Sequence, residues 1–502
     1  MVRYKEGTPR NQLVLYGTLL DDLIDKNNRV RFIDFYVEEL NMEELGFILP
    51  KSPIGASCYK RKDLLKIYIY GYLERIRSSR RLEKECIRND EVRWLICDLQ
   101  PDFKTIANFR KDNPNALKNL FKKFLRDCKK LELLSYKLIA VDGTKIRAQN
   151  SSNNLYHRDT ISYVEKKIDE KIENYLRELD EQDKYEDKND LSILPNEKII
   201  ERINKLTKRK DKINIIKSLF ENDSDLKTYF ANDPDSRFQK DKGQAYVGYN
   251  CQIAVDNKNK LIVEAEVTNK NNDQQQLTNM TKKISQTKKE LEVDIDTVEL
   301  TDAGYYSEKE IIESEKIAGI DTYVIHPQDA KKAKGKMRRN KKKIIPDDGH
   351  KTDKFKYNEK EDIFICPEGK VLEKHGQTKY DKRRKLNIKR YKCVDCKNCL
   401  AKTQCTTNKH GRYLAISENF IDMQNYRNKV LSEKGKRLTN KRKEIVEHPF
   451  GTIKSILGYN SFMQTGALKT SAEFKFIAFI YNFKRIMNIV SLNDFKLALN
   501  YI

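Results

Sequence analysis

KLIAVDGT, residues 137–144, is an apolar run that stops at an Asp-Gly pair. An apolar run of this length, closed by a turn signal, reads as a buried strand whose last residue, Asp142, is polar. A carboxylate in that position emerges where a sheet edge meets solvent, the place where ligands gather in open α/β sheets. The arrangement recurs in TVELTD, residues 297–302, where a second apolar strand ends at Asp302, followed by Ala303-Gly304 and two tyrosines. Two strand-terminal aspartates on adjacent parallel strands can share a hard cation, which needs convergent carboxylate oxygens.

Further strands are expected over 246–255 (YVGYNCQIAV) and 261–268 (LIVEAEVT). Asp256-Asn257 and the lysines after it make a turn between them, so the two should pair as a hairpin. Residues 322–326 (TYVIH) give a fifth strand, and 307–318 read as a helix with Ser307 as N-cap and Glu310 completing a capping box. Strand, hairpin, strand, helix and strand in that order predict a mixed sheet in an α/β domain, and a ribonuclease-H-like layout fits.

Around this core, residues 1–125 show apolar positions at helical spacing, as at Leu64, Leu65, Tyr68, Tyr72 and Ile76. Basic residues gather in the same region, among them Arg77, Arg80 and Arg110, which suits an all-helical domain that docks on duplex DNA; a plain helical dimerisation or packing domain is the alternative. The core is expected over 126–327, interrupted at 158–222 by two charged amphipathic helices joined through the polar stretch 180–190. A second insertion, 328–435, holds a basic run (Lys331 to Lys343) and five cysteines between 366 and 405. Residues 436–502 return to the core.

The chain has 502 residues, with 99 Lys plus Arg against 75 Asp plus Glu, a formal charge of +24. That excess points to a polyanionic partner, most commonly nucleic acid. Uninterrupted apolar runs stay short of the roughly 18 residues of a membrane span, and the first ten residues lack a signal-peptide core. A cytoplasmic protein is expected. Clustered cysteines in such a setting suggest metal, and a tetrahedral Zn²⁺ needs four of them; spacing leaves open which one is spare.

The third carboxylate, Glu447, stands in IVEHPFGTIK, residues 445–454, where Val446, Phe450, Ile453 and Leu457 make an apolar stripe. Glu447 and Lys454, seven apart, share a neighbouring face, so that one can reach a metal and the other a phosphate. Pro449 requires either a kinked helix or one that begins there.

RSSRRLEKE, PDFKTIANFR, VDGTKIRAQNS, GYNCQIAVD, LTDAGYYS, CPEG, VEHPFGTIK and YNFKR follow one another in this order. In these blocks the chain resembles bacterial insertion-sequence transposases of the DDE class, in the insertion-sequence-four superfamily, on the branch with a cysteine-bearing insertion. The resemblance implies that Asp142, Asp302 and Glu447 bind two Mg²⁺ ions, for which Mn²⁺ can substitute. It also implies cleavage of transposon ends followed by attack of the freed 3′-hydroxyl on target DNA. Lys454 and Arg442 match basic residues that flank the family's Glu and contact DNA, while Thr439 stands where the family signature has Tyr. Cys366, Cys396, Cys399 and Cys405 match the zinc-binding positions, which leaves Cys393 over. Asp273, in a further family-like stretch, is expected to orient DNA or to cap the following helix, with the cap favoured. A homodimer on paired double-stranded DNA ends, at the nucleoid, is the implied assembly. Two other readings share these residues: a DNA-binding protein without chemistry, and a metal-dependent nuclease.

Overall fold

The computed structural model describes residues 19–48, 58–150, 155–189, 197–224, 226–241, 243–333, 350, 352–382 and 384–499. Six helices come first: α1 (Val30–Glu38), α2 (Arg61–Leu73), α3 (Ser79–Arg88), α4 (Asp90–Leu95), α5 (Phe103–Asp112) and α6 (Pro114–Lys130). Asp102 caps α5 by accepting from Thr105 N at 2.7 Å. Pro114 opens α6 with a preset φ, and Leu117, Leu120, Phe121, Phe124 and Cys128 form its buried stripe.

These helices share their core with the far end of the chain. Phe32 packs edge-on against Phe483 at 5.3 Å, and Phe124 against Phe479 at 5.0 Å, both partners lying on the helix Ala467–Met487. One hydrophobic cluster runs from the N-terminal helices through the central sheet, so the expected boundary at residue 125 does not divide the core.

The central sheet contains β1 (Leu138–Arg147), and a short pair, β2 (Leu155–His157) with β3 (Thr228–Phe230), stands apart from it. Between those two, α7 (Ile161–Asn189) and α8 (Glu197–Asn222) form the expected charged helices. They have their own small core of Ile168, Ile213, Ile216 and Phe220, with Lys217–Glu165 and Lys210–Asp169 ion pairs at 2.9 and 2.6 Å. The turn expected at 180–190 is corrected: α7 runs to Asn189, because the stretch holds neither Gly nor Pro to stop it. Residues 190–196 lie outside the described residues.

The sheet is completed by β4 (Arg237–Asp241), β5 (Gln244–Asp256), β6 (Ile262–Thr268), β7 (Thr297–Thr301) and β8 (Ile320–Val324). β5 and β6 form the expected antiparallel hairpin, and β1, β7 and β8 lie parallel in that order. Helix α9 (Leu277–Glu290) precedes β7 and α10 (Glu308–Glu315) follows it. The expected strand end at Asp142 is corrected. β1 continues because β5 stays paired with it as far as Arg147↔Gly248, whereas its parallel pairing with β7 ends at Ala140↔Leu300.

The second insertion begins with α11 (Pro327–Ala333); most of the basic run that follows lies outside the described residues. Then come β9 (Lys356–Asn358), β10 (Ile363–Ile365), β11 (Val371–Lys374), β12 (Lys379–Asp381), β13 (Leu386–Cys393), the short α12 (Lys402–Cys405) and β14 (Tyr413–Ser417). They form a second sheet around a separate cluster that includes Phe364, Tyr391, Cys393, Cys396 and Cys405. Helix α13 (Phe420–Leu431) belongs to the main core instead, through Met423, Tyr426 and Val430.

Helix α14 (Glu433–Gly451) starts at Ser432, whose hydroxyl accepts from Gly435 N at 3.1 Å. It does not begin at Pro449 but passes through it. Pro449 cannot donate to the preceding turn, and the next turn, Thr452–Ile456, widens to a π-helix closed by Leu457 N to Thr452 O at 2.8 Å. Helices α15 (Ala467–Met487) and α16 (Leu492–Ala498) close the chain. Among the described residues no helix is long and apolar enough to cross a membrane.

Arg110, expected on a DNA-facing surface, is 8% exposed. It lies 5.6 Å over the Tyr68 ring and donates to Tyr72 OH at 3.1 Å, while Tyr72 donates to buried Glu473 at 3.2 Å. Its charge offsets that of Glu473, which also accepts from Met463 N and Gln464 N. Arg110→Met should therefore cost about 3–5 kcal/mol, because it leaves a buried carboxylate without its counter-charge. The exposed Arg80→Met should stay within about 0.5 kcal/mol. Denaturant midpoints of the two variants provide the check.

Buried Glu299 accepts from Thr281 at 2.7 Å through one oxygen and has no partner at the other. Burial pushes its carboxyl up to about 8. The folded chain thus keeps a proton that the unfolded chain releases, so this contribution to stability is full below about 4.5 and falls away as pH rises toward 8. Glu299→Gln should remove a slope of at most about 1.4 kcal/mol per pH unit. Melting curves should show the variant gaining on the parent up to about pH 8 and running parallel above it.

Candidate active site

Asp142 lies just past the point where β1 parts from β7, and Asp302 is the first residue after β7. The Asp142 Oδ1 accepts from Gly143 N at 2.9 Å, and Oδ2 lies 3.0 Å from Arg442 Nη1 on α14. That ion pair is not aligned as a hydrogen bond, since Arg442 Nη1 is left without a hydrogen-bond partner. Burial raises the Asp142 carboxyl above its ordinary value; Arg442 opposes the rise and the Asp302 charge adds to it. Asp302 Oδ1 accepts from Gly304 N at 2.8 Å and caps the short turn Ala303–Tyr305.

The two aspartates and Arg442 come together; Glu447 does not join them. Arg442 points into the sheet with Ile445, Val446 and Pro449, and Glu447 is exposed on the opposite side of α14. Five residues along an α-helix amount to a turn of about 140°. Among the described residues no group of three or more His, Cys, Asp or Glu side chains is arranged to hold a metal ion. Asp142 and Asp302 nevertheless suit a divalent cation in their chemistry: hard oxygens, partly buried, with a guanidinium already standing beside one of them.

Lys454 lies half-buried on the π-turn, within electrostatic reach of Cys251, the cross-strand partner of Thr144. Thr439 spends its hydroxyl on its own helix, donating to Gly435 O at 3.0 Å, and offers no stacking surface. Arg77 is a strut: it donates to Ser461 O at 2.6 Å and lies 5.1 Å over the Tyr459 ring. Arg80 is exposed and lies 4.1 Å over Phe103.

Asp273 does not cap α9, whose N-cap is Gln276. Its Oδ1 accepts instead from Asn250 and Gln252 at 2.8 Å each and is 3.4 Å from Lys145 Nζ. Gln252 Oε1 in turn accepts from Tyr305 OH. This polar group beside the aspartates carried one signal in the sequence: Asn250 and Gln252 alternate in an otherwise apolar strand and so share a face.

In the second sheet Cys366, Cys393, Cys396, Cys399 and Cys405 line one small cavity. Cys366 Sγ accepts from Lys370 N at 3.3 Å and Cys396 Sγ from Arg412 N at 3.4 Å. The cysteines share this cavity without forming a group of three or more arranged to hold a metal ion. Gly411, at φ +95°, is needed there, because a Cβ would lie 2.7 Å from Cys396 Cβ. Burial pushes the Cys393 thiol up to about 12, with Cys396 as its neighbour.

No curated protein and no solved structure matches the chain. Two family models do: residues 365–487 match a transposase DDE domain, and residues 18–112 match a transposase domain (DUF772). The DDE match covers the cysteines, Arg442, Glu447 and Lys454, and implies a ribonuclease-H-like core and a DNA partner; domains of that kind generally use divalent metal. Two separate stretches matching transposase models, on either side of the sheet that carries Asp142 and Asp302, support an insertion-sequence transposase.

Proposed function

We propose that the chain is a transposase that binds the terminal inverted repeats of its element, cleaves the ends by Mg²⁺-dependent hydrolysis and joins the 3′-hydroxyls to target DNA. The observation that carries this reading is the meeting of Asp142, Asp302 and Arg442 where β1 and β7 part. Asp142, Asp302 and Glu447 would hold the Mg²⁺, which when bound activates an attacking oxygen and stabilises a leaving one. Arg442 and Lys454 bind phosphate beside the cut, and exposed Arg80 adds a contact from the helical region. Glu447, exposed on α14, is the third carboxylate of the set in this reading. A homodimer brings two ends together.

The exposed position of Glu447 favours one competing reading, a DNA-binding protein without chemistry. The two separate in a cleavage assay on duplexes carrying the inverted repeats that flank the gene. Asp142→Asn, Asp302→Asn and Glu447→Gln should each lower Mg²⁺-dependent nicking on the order of a hundredfold or more. Specific end binding with no cleavage in Mg²⁺ or Mn²⁺ would favour the competing reading. Parental cleavage by Glu447→Gln alone would place the third ligand elsewhere.

Cys366, Cys396, Cys399 and Cys405 would hold a structural Zn²⁺, which ties the insertion together when bound. Elemental analysis of the purified chain should find about one zinc. Cys396→Ser should lose it and melt earlier, while Cys393→Ser should keep it. Loss of zinc from Cys393→Ser would exchange the spare cysteine.

A further inference from the structure

Gln252 stands where the two aspartate-bearing segments approach each other. It is the cross-strand partner of Gly143, the residue after Asp142. Its Oε1 accepts from Tyr305 OH, and Tyr305 closes the turn that Asp302 caps, with Tyr305 N donating to Asp302 O at 3.2 Å. Its Nε2 donates to Asn250 Oδ1 and to Asp273 Oδ1, each at 2.8 Å. Gln252, Asn250 and Tyr305 are fully buried. Both amide hydrogens are in use, and a buried network satisfied in this way holds one arrangement.

The network depends on residue 143 being glycine for a steric reason. A Cβ there would lie 2.5 Å from Gln252 Nε2 and 2.8 Å from Asp273 Oδ1. The tie therefore passes from the backbone beside Asp142, through the Gln252 amide, to the turn that bears Asp302. Such a tie has a physical task. Two carboxylates facing one another repel, and the 302–305 turn, at the end of a strand that has parted from β1 and keeps only β8 beside it, could relieve the repulsion by moving out.

We infer that Tyr305 and Gln252 are positioning residues that hold the Asp302 carboxylate against Asp142, so that the pair can take one divalent cation. This rests on the reading of the pair as cation ligands. Neither residue touches the cation; both act through the turn.

The test uses the full chain with Mn²⁺ alone as the probe. Calorimetry gives the Mn²⁺ affinity of the parent, Tyr305→Phe, Gly143→Ala, Asp142→Asn and Asp302→Asn, and hydrogen exchange follows residues 302–306. Tyr305→Phe keeps the ring that fills the core and deletes the hydroxyl. It should melt within a few degrees of the parent, exchange faster at 302–306 and bind Mn²⁺ about tenfold more weakly. Gly143→Ala, which pushes on the amide from the other side, should melt earlier because of that clash and likewise exchange faster at 302–306 and bind Mn²⁺ more weakly. Unchanged Mn²⁺ affinity in Tyr305→Phe overturns the inference, whether or not exchange quickens, since the network would then serve the fold alone. If the parent binds Mn²⁺ no better than Asp142→Asn and Asp302→Asn, the cation reading itself fails and the inference with it.

Discussion

The parting of two parallel strands is the constraint on which the rest of the site depends. β1 and β7 are paired through Ala140↔Leu300, after which β7 ends and β1 continues with β5 as its neighbour. A strand that loses one neighbour while keeping the other exposes one row of backbone groups and opens a notch in the sheet. Asp142 lines that notch from the continuing strand, and Asp302 enters it from the strand that has stopped. Each carboxylate accepts from a main-chain donor, Gly143 N for Asp142 and Gly304 N for Asp302, so the local backbone helps to orient it.

Around the notch the protein balances charge from opposite sides. α14 brings Arg442 to Asp142 on one side. On the other, Asp273 gathers Asn250, Gln252 and Lys145, and Tyr305 connects that group to the Asp302 turn. The N-terminal helices support this arrangement from behind through their shared core with α15, where buried Arg110 and Glu473 are joined by Tyr72. Loss of charge balance in that remote cluster would disturb α15 and the segment that Glu473 holds at Met463 and Gln464.

Much of this was legible in local patterns. The strands over 137–144, 246–255, 261–268 and 297–302 announce themselves by apolar runs and turn residues, and both aspartates follow from where those runs stop. What escaped depended on partners distant in sequence. Arg110 has the local look of a surface base, and only its approach to Glu473 through Tyr72 explains its burial. β1 outruns its expected end because β5 supplies a partner that no feature of residues 143–147 reveals. Asp273 resembles a cap by position, yet the polar faces of Asn250 and Gln252 compete for its carboxylate and win.

Glu447 is the most instructive difference, since it turns on where a helix begins. A stripe drawn through Val446, Phe450, Ile453 and Leu457 leaves Glu447 beside the apolar face, free to reach the sheet. The helix starts much earlier, at Glu433, and its inward face is set by Gly435, Arg442, Ile445, Val446 and Pro449. On that wheel Arg442 and Glu447 diverge by about 140°, so a rigid α14 that shows Arg442 to Asp142 must show Glu447 to solvent. The π-turn after Pro449 does not relieve this, because it alters the pitch only beyond Glu447. Next to Glu447, His448 contacts Tyr481 OH at 2.9 Å and Arg485 at 3.2 Å, which fastens this part of α14 to α15.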